Sequence, residues 1–211
     1  MAGIGLYGVY YSKATITGGV VTGYNGVKTM GKAISASYEA ADTKDNRLWA
    51  NNSIAETDTN SSAGGTLTLT LDRLGPDSRE DLFGQTKQTA TVTVDGTEVT
   101  GTGHSYTGLE ASNALGVAFI RWKQEDNDRG HYEAAIYGYC VFREPAEEDS
   151  TYDGDNGVEW GTTELEGEVS GPSVMGELPL RRKFDFPTHK AAIQYITDIF
   201  AAPTQAGGGE G

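Results

Sequence analysis

Residues 66–71 read Thr-Leu-Thr-Leu-Thr-Leu, and this strict alternation constrains the fold more than any other feature of the chain. A period of two places the leucines on one face and the threonines on the other, which predicts a half-buried β-strand and not a helix. Gly64 and Gly65 precede this strand, where we expect a positive φ or a close backbone approach. A polar loop, a double glycine and an alternating strand are more typical of an assembly surface than of an enzyme site.

The composition favours a single, mainly β domain. The 211 residues are within the range of one β-sandwich, and a hydrophobic fraction of 37% is sufficient for a two-layer core. The 29 glycines suit a turn-rich chain. We therefore predict a β-sandwich or barrel-like domain over residues 1–202, with a short flanking helix and a C-terminal helix. The glycine-rich residues 203–211 are expected to be a disordered tail.

Turn signals separate the predicted strands. Asp95-Gly96 between two alternating runs is a strong hairpin signal, and Gly18-Gly19 marks an earlier turn. Residues 51–65 are polar or small and predict a long loop. The predicted strands are residues 5–13, a short return strand after Gly19, and residues 30–41, 66–73, 91–94, 97–100, 114–123, 131–142 and 159–170.

Two segments have helix signals. Residues 75–84 combine Pro76 in the first turn, early acidic residues and a terminating Gly84, which predicts a short helix. Near the C-terminus, Thr188 is positioned as an N-cap for a helix. The apolar stripe of that second helix consists of Ile193, Ile196, Ile199 and Phe200.

The charge excludes attachment to nucleic acid. The formal net charge is −14, whereas binding to phosphates requires Lys and Arg to displace counterions. Between Glu144 and Glu177 there are eleven Asp and Glu residues and no Lys or Arg. Such a region is either a solubilising face or a surface that repels a polyanion. Glu164, Glu166 and Glu168 alternate with Leu165, Gly167 and Val169, so all three carboxylates are predicted to share one strand face.

The compartment is predicted from three features. Cys140 is the single cysteine, so no intrachain disulfide can form. The N-terminal segment lacks the charged region and apolar stretch of a signal peptide, and no apolar run approaches the length of a membrane span. We expect synthesis in a reducing cytoplasm.

The sequence predicts no catalytic, cofactor or metal site. Residues 103–108 resemble the G-x-S-x-G nucleophile elbow, but the second glycine is displaced by one position and the segment lies in a polar loop. The histidines, His104, His131 and His189, are far apart and have no zinc-site spacing. Residues 153–159 partly match a calcium loop, but Gly157 and Val158 depart from it, and a solvated turn is the better interpretation. Core or interface packing is favoured over a sugar platform for three tryptophans: Trp49, Trp122 and Trp160.

Several segments, in order and spacing, resemble the major tail protein, or tail tube protein, of long-tailed bacteriophages with non-contractile tails. Leu48-Trp49-Ala50-Asn51-Asn52 stands where that family has Leu-Tyr-Ala-Asp-Asn or a similar sequence. Asp81-Leu82-Phe83-Gly84 resembles a helix end that the family typically writes Leu-Leu-Gly. The other similar segments are residues 5–11, 54–56, 64–69, 118–121, 132–137 and 158–167. The resemblance extends over nearly the whole chain to Ala202 and leaves out the acidic turn and the glycine tail.

This resemblance implies a structural protein of the virion tail without catalysis or cofactor. Subunits would form hexameric rings in the host cytoplasm, and the rings would stack into a hollow tube for DNA ejection. DNA would pass through without specific binding, and the implied partners are further copies and the tape measure, tail terminator and distal tail proteins. In such a tube Glu164, Glu166 and Glu168 would face either the lumen or the exterior, and we favour the lumen because regularly placed carboxylates repel phosphate. The candidate inter-subunit loop contains Trp49, Asn51, Asn52, Ile54, Glu56, Gly64 and Gly65.

The competing hypothesis is a secreted or surface β-sandwich that binds sugar or calcium. Such a module needs an export route or an aromatic platform, and neither is evident in the sequence. Electron microscopy separates the two hypotheses, because a tube protein forms rings or polymers and a binding module does not.

Overall fold

The computed structural model describes residues 2–41, 45–50, 53–59, 64–108, 110–124, 130–145, 162–176 and 178–201. The fold is mainly β, with antiparallel sheets, one short helix and one C-terminal helix, as the sequence predicts. The strands are β1 (Ala2–Thr17), β2 (Val20–Tyr24), β3 (Lys28–Gly31), β4 (Ala33–Ala40), β5 (Asp45–Ala50), β6 (Ser53–Thr59), β7 (Gly65–Leu71), β8 (Thr86–Val94), β9 (Thr97–Ser105), β10 (Ala114–Gln124), β11 (Gly130–Phe142), β12 (Thr163–Val169) and β13 (Arg181–Phe186). The helices are α1 (Pro76–Phe83) and α2 (His189–Ala201), and Pro172–Val174 forms a single 3-10 turn.

The main sheet closes on itself around the core. Its hydrogen-bonded path runs from β1 through β10, β11, β12 and β7 to β4. Only Lys32 separates β4 from β3, and β3 pairs with β1. The backbone N–H of Asp72, after β7, donates to the Lys32 carbonyl oxygen at 2.9 Å. The bent β3–β4 segment therefore joins the two ends of the path, which makes this closed ring barrel-like.

The core is built by strict side-chain alternation. Leu67, Leu69 and Leu71 are fully buried, while the intervening threonines face outward, as the Thr-Leu pattern predicts. They pack with core residues from β1, β10, β11, β12 and α1. Each fully buried leucine is worth about 1.5–3 kcal/mol relative to an exposed one, so this pattern is a strong determinant of strand register.

β10 and β11 are buried on both faces, because α2 packs against their outer side. Ala118 and Ile120 of β10 face the helix, with Ala134 and Ile136 of β11 beside them. The helix contributes Ala192, Ile196 and Phe200. The Ala191 N–H donates to the Thr188 side-chain oxygen at 3.2 Å, and both the predicted N-cap and the apolar stripe are confirmed.

Helix α1 closes one end of the ring. Leu82 and Phe83 enter the core, and the left-handed Gly84 ends the helix by donating its N–H to the Glu80 carbonyl oxygen. Asp81 is buried and accepts hydrogen bonds from the Tyr11 hydroxyl at 2.9 Å and Lys28 Nζ at 2.5 Å. The predicted short helix is thus confirmed, and polar bonds attach it to two strands.

The structure corrects several predicted boundaries. Residues 51–65 are not one loop, because Ser53–Thr59 pairs with Asp45–Ala50 in a hairpin. The hairpin ladder satisfies the backbone N–H and C=O groups of this polar segment. The predicted strand at residues 30–41 is broken at Lys32, and the Asp95-Gly96 hairpin is much longer than predicted. β13 was not predicted, and residues 159–161 of the predicted 159–170 strand lie outside the described residues, as does the tail at 203–211.

Candidate assembly surface

The outer face of β12, β7 and β4 presents a regular array of carboxylates and hydroxyls, which we call the acid–hydroxyl face. Antiparallel register places its nine residues in three rows across the strands. The rows are Glu164, Thr70 and Ser35, then Glu166, Thr68 and Ser37, then Glu168, Thr66 and Glu39. Neighbouring strands are about 4.8 Å apart and alternate residues about 6.8 Å apart, so the array spans roughly 10 by 14 Å.

The three predicted glutamates share this face and are all exposed. The opposite side of the same strand, Leu165, Gly167 and Val169, is buried. A side chain at Gly167 would meet Cys140 Sγ at 2.5 Å, so glycine allows β12 to lie close to β11. On the hydroxyl side, Ser35 Oγ donates to Thr70 Oγ1 at 2.8 Å. The face is therefore held by a packed sheet beneath it.

The acid–hydroxyl face carries four carboxylates and no Lys or Arg among its nine residues. Arg143 borders it, in a shallow cleft shared with Glu166 and Glu168. Two charges about 7 Å apart repel by roughly 0.6 kcal/mol in water, a modest cost at an exposed face. The negative charge also acts on the core beneath the face. Burial raises the pKa of the Cys140 thiol, and the Glu168 carboxylate raises it further. The face combines negative charge with a surface of small hydroxyls.

The predicted inter-subunit loop is divided between two structural environments. Trp49 lies opposite Ile54, and Leu48 lies opposite Glu56, in the β5–β6 hairpin, which forms a separate two-stranded sheet. Asn51 and Asn52 lie outside the described residues.

Gly64 and Gly65 are buried within the main sheet. Gly64 has a φ of +94°, and an added Cβ would lie 2.1 Å from the Val169 carbonyl oxygen. At Gly65 the added atom would lie 2.3 Å from the Glu39 carbonyl oxygen. The predicted positive φ and close approach are both confirmed, and these glycines serve internal packing.

The β8–β9 hairpin is a second exposed element, and the sequence analysis did not identify it as an assembly candidate. Every residue of β8 is exposed, and most of β9 is exposed as well. Val92 pairs with Val99, and they share one face with Ala90 and Val94. The valines are 57%, 49% and 52% exposed at positions 92, 99 and 94. Alternation within β8 and β9 was the available signal, but only the tertiary structure shows that nothing in the described chain covers this face.

The histidines and Trp122, which the sequence analysis weighed for chemistry, lie on different elements of the described chain. His104, His131 and His189 lie on β9, β11 and α2, and His131 Nε2 is 3.1 Å from Asp185 Oδ1. Among the described residues, no group of three His, Cys, Asp or Glu side chains is placed to hold a metal ion. Trp122 packs against Tyr132 with ring centroids 4.6 Å apart, while residues 153–159 and Trp160 lie outside the described residues.

Comparison with models of known protein families gives no match, and neither does comparison with curated protein sequences. Within the described residues, no helix is both long enough and apolar enough to cross a lipid bilayer.

Proposed function

We propose that this chain is a tail tube protein that forms stacked hexameric rings, and that these rings make the hollow tail of a bacteriophage with a long, non-contractile tail. The proposal starts from the ordered sequence segments that resemble this family. The observation that carries it in the structure is the acid–hydroxyl face, where Glu164, Glu166 and Glu168 of β12 are in register with three threonines of β7 and with Ser35, Ser37 and Glu39 of β4.

Such a face suits the passage of DNA without attachment. Duplex DNA has one negative charge per about 1.7 Å of its axis, and proteins hold it through Lys and Arg that replace counterions. The nine residues of the acid–hydroxyl face include no such cation, and the bordering Arg143 shares its cleft with Glu166 and Glu168. This face repels phosphate while remaining hydrated, so DNA is expected to slide past it. On this proposal Glu164, Glu166 and Glu168 face the lumen.

The two separate hairpins support self-assembly. A two-stranded hairpin on its own is only marginally stable in water, yet β5–β6 and β8–β9 each form a separate two-stranded sheet. The β8–β9 hairpin also presents an uncharged face of valines and alanine. Contact with neighbouring subunits would cover these surfaces and pair their edges.

The test is electron microscopy of the purified protein over a range of concentrations, combined with light scattering. We expect rings, and at high concentration tubes, to form without added ligand or DNA. A protein that stays monomeric at every salt and protein concentration would contradict the proposal. Binding of calcium or a sugar by that monomer would instead support the competing hypothesis.

A further inference from the structure

The wall of the closed ring divides along β11. β10 pairs with β11 over nearly its whole length, so β12 and β13 share the opposite edge. β12 takes residues 140–142 of that edge, and β13 takes residues 132–137. The Gly138 N–H donates to the Leu180 carbonyl oxygen at 2.9 Å and holds the start of β13 at this division. The basic segment Arg181-Arg182-Lys183 therefore lies against the middle of β11.

Register places four basic side chains on the core side of this wall, and we call them the basic cluster. Two of them, on β13, lie directly opposite the core residues Tyr137 and Ala135 of β11. The other two, on β10, follow the core residue Phe119 at alternate positions. Residues opposite each other, or two apart on one strand, share a face of the sheet. The basic cluster consists of Arg121, Lys123, Arg181 and Lys183.

Aromatic rings hold both guanidinium groups of the basic cluster. Arg181 lies over the Tyr38 ring at 4.9 Å from its centroid, and Arg121 lies over the Phe119 ring at 5.2 Å. The Tyr137 ring lies between these two rings, with centroid distances of 5.0 Å to Tyr38 and 5.8 Å to Phe119. A guanidinium stacked on a ring directs its N–H donors sideways, where they are available to an oxyanion.

Tyr137 supplies a buried hydroxyl between the two guanidinium groups. Its side chain is 1% exposed, and no described residue forms a hydrogen bond with the hydroxyl. Burial raises the pKa of this hydroxyl to about 12, against the opposing effects of Arg181 and Arg121. The hydroxyl is therefore protonated at neutral pH and lies within the electrostatic reach of both cations. A buried polar group of this kind normally has a partner, and a bound anion would accept its hydrogen bond.

The basic cluster carries more positive charge than its described neighbours neutralise. Glu133 is 5% exposed and pairs with the two cations of β10, while Asp185 Oδ1 lies 3.1 Å from His131 Nε2. No described carboxylate forms an ion pair with Arg181 or Lys183, and both are exposed. Burial lowers the pKa of Lys183, and the other three cations lower it further against the opposing effect of Glu133. A bound anion would relieve this repulsion.

We propose that the basic cluster binds a small oxyanion of the phosphate type, with Arg181, Lys183 and the Tyr137 hydroxyl as its donors. A guanidinium offers two parallel N–H donors to phosphate oxygens, and the ammonium and hydroxyl groups add a point charge and a further donor. The Tyr137 hydroxyl is far more buried than the two cations, so a compact ion suits the site better than a polymer backbone. The site lies within one chain and apart from the acid–hydroxyl face, and it is independent of the proposed function.

Calorimetric titration of the purified full chain with inorganic phosphate, at constant ionic strength, tests the site. We expect R181Q/K183Q to weaken phosphate binding about tenfold or more, because two charge-assisted contacts are lost. Y137F keeps the ring but removes the hydroxyl, and it should weaken binding about threefold. The control K32Q/R73Q makes the same charge change at two exposed positions beside α1 and should bind phosphate like the wild type.

Thermal melting gives an independent measurement, because a ligand that binds only the folded state raises the melting temperature. We expect phosphate to raise it above the value in sodium chloride of equal ionic strength for the wild type and for K32Q/R73Q, but not for R181Q/K183Q. Absence of phosphate binding by the wild type, or equal binding by R181Q/K183Q, would overturn the inference. Circular dichroism checks folding, and if R181Q/K183Q does not fold, Y137F decides: wild-type affinity in that variant would overturn the site.

Two other occupants are distinguished by the same titration. Phosphate binding by E147Q/E148Q/D149Q but not by the wild type would show that acidic residues of the chain itself occupy the cluster, and would overturn the inference. Tighter binding of a single-stranded oligonucleotide than of phosphate would overturn the assignment to a small ion. Rings in electron microscopy without phosphate binding would contradict this inference alone, whereas phosphate binding by a protein that never assembles would contradict only the proposed function.

Discussion

At the scale of single residues, Gly64 and Gly65 permit the closest backbone approaches around β7. Gly64 has a positive φ and lies against the Val169 carbonyl oxygen. Gly96, in the β8–β9 turn, also has a positive φ, of +78°, but has open space around it. A substitution at Gly96 therefore measures the cost of the positive φ alone, whereas one at Gly64 measures that cost together with a steric clash. Both are glycines with positive φ, and only one lies against another strand.

We predict that Gly64→Ala destabilises the protein by about 3 kcal/mol or more, because the new Cβ would lie 2.1 Å from the Val169 carbonyl oxygen. Gly96→Ala should cost about 1–2 kcal/mol, since only the unfavourable φ opposes it. Urea unfolding of both variants measures the difference. Equal losses at the two positions would show that β7 and β12 separate easily at this point.

At the scale of elements, the β8–β9 hairpin differs from the core strands of the main sheet. Every second residue of β7 and β12 is buried, and β10 and β11 are buried on both faces, whereas the hairpin alternates apolar and hydroxylated residues that are nearly all exposed. Its apolar side makes no contribution to the core of the single chain. Its contribution is expected in the assembly, where a neighbour can cover it.

We predict that V92T/V99T folds with nearly unchanged thermal stability but assembles poorly. Each Val→Thr change removes about 1 kcal/mol of the apolar burial that stabilises the assembled state. The concentration for half-assembly of V92T/V99T should therefore rise about tenfold or more. The control T91S/T100S alters the opposite face, where the two threonine hydroxyls lie 3.4 Å apart. Sedimentation and melting curves measure both effects, and wild-type assembly of V92T/V99T would exclude this face from the interface.

At the scale of the whole molecule, charge is distributed unevenly over a closed sheet. The acid–hydroxyl face lies on the outside of β12, β7 and β4, whereas the basic residues Arg181, Arg182 and Lys183 of β13 lie along β11. The net charge of −14 is therefore not spread uniformly, since the nine residues of the acid–hydroxyl face carry four carboxylates and no Lys or Arg.

We predict that tubes of E164K/E166K/E168K retain DNA, and that retention falls as salt rises. Three added cations per subunit in the lumen would bind phosphates and release counterions. The variant E80K/E98K/D198K makes the same charge change at exposed positions elsewhere and should leave the lumen free of DNA. Nuclease protection and cryo-electron microscopy of the tubes measure retention. Placement of the three glutamates on the outer surface would show that they act only in solubility.

The features of the fold that could be predicted from the sequence are those that short-range residue patterns specify. The leucines at positions 67, 69 and 71, the proline and glycine around α1, and Asp95-Gly96 each specify local structure through dihedral preference or alternation. The shared exposed face of Glu164, Glu166 and Glu168 follows from the same period of two, and the structure confirms it. β13 was missed because Arg-Arg-Lys-Phe-Asp-Phe is mostly charged, and its strand state depends on the free edge of β11.

By itself, the sequence determined the β class, the two helices, the tight glycines and the shared face of the glutamates, because these depend on residues close together in the chain. The tertiary structure alone decided the bend at Lys32 that closes the sheet, the exposed β8–β9 hairpin and the pairing of β13 with β11. These features depend on pairings between residues far apart in sequence. No local pattern encodes which strand edge will meet which, so that choice is made only when the core is packed.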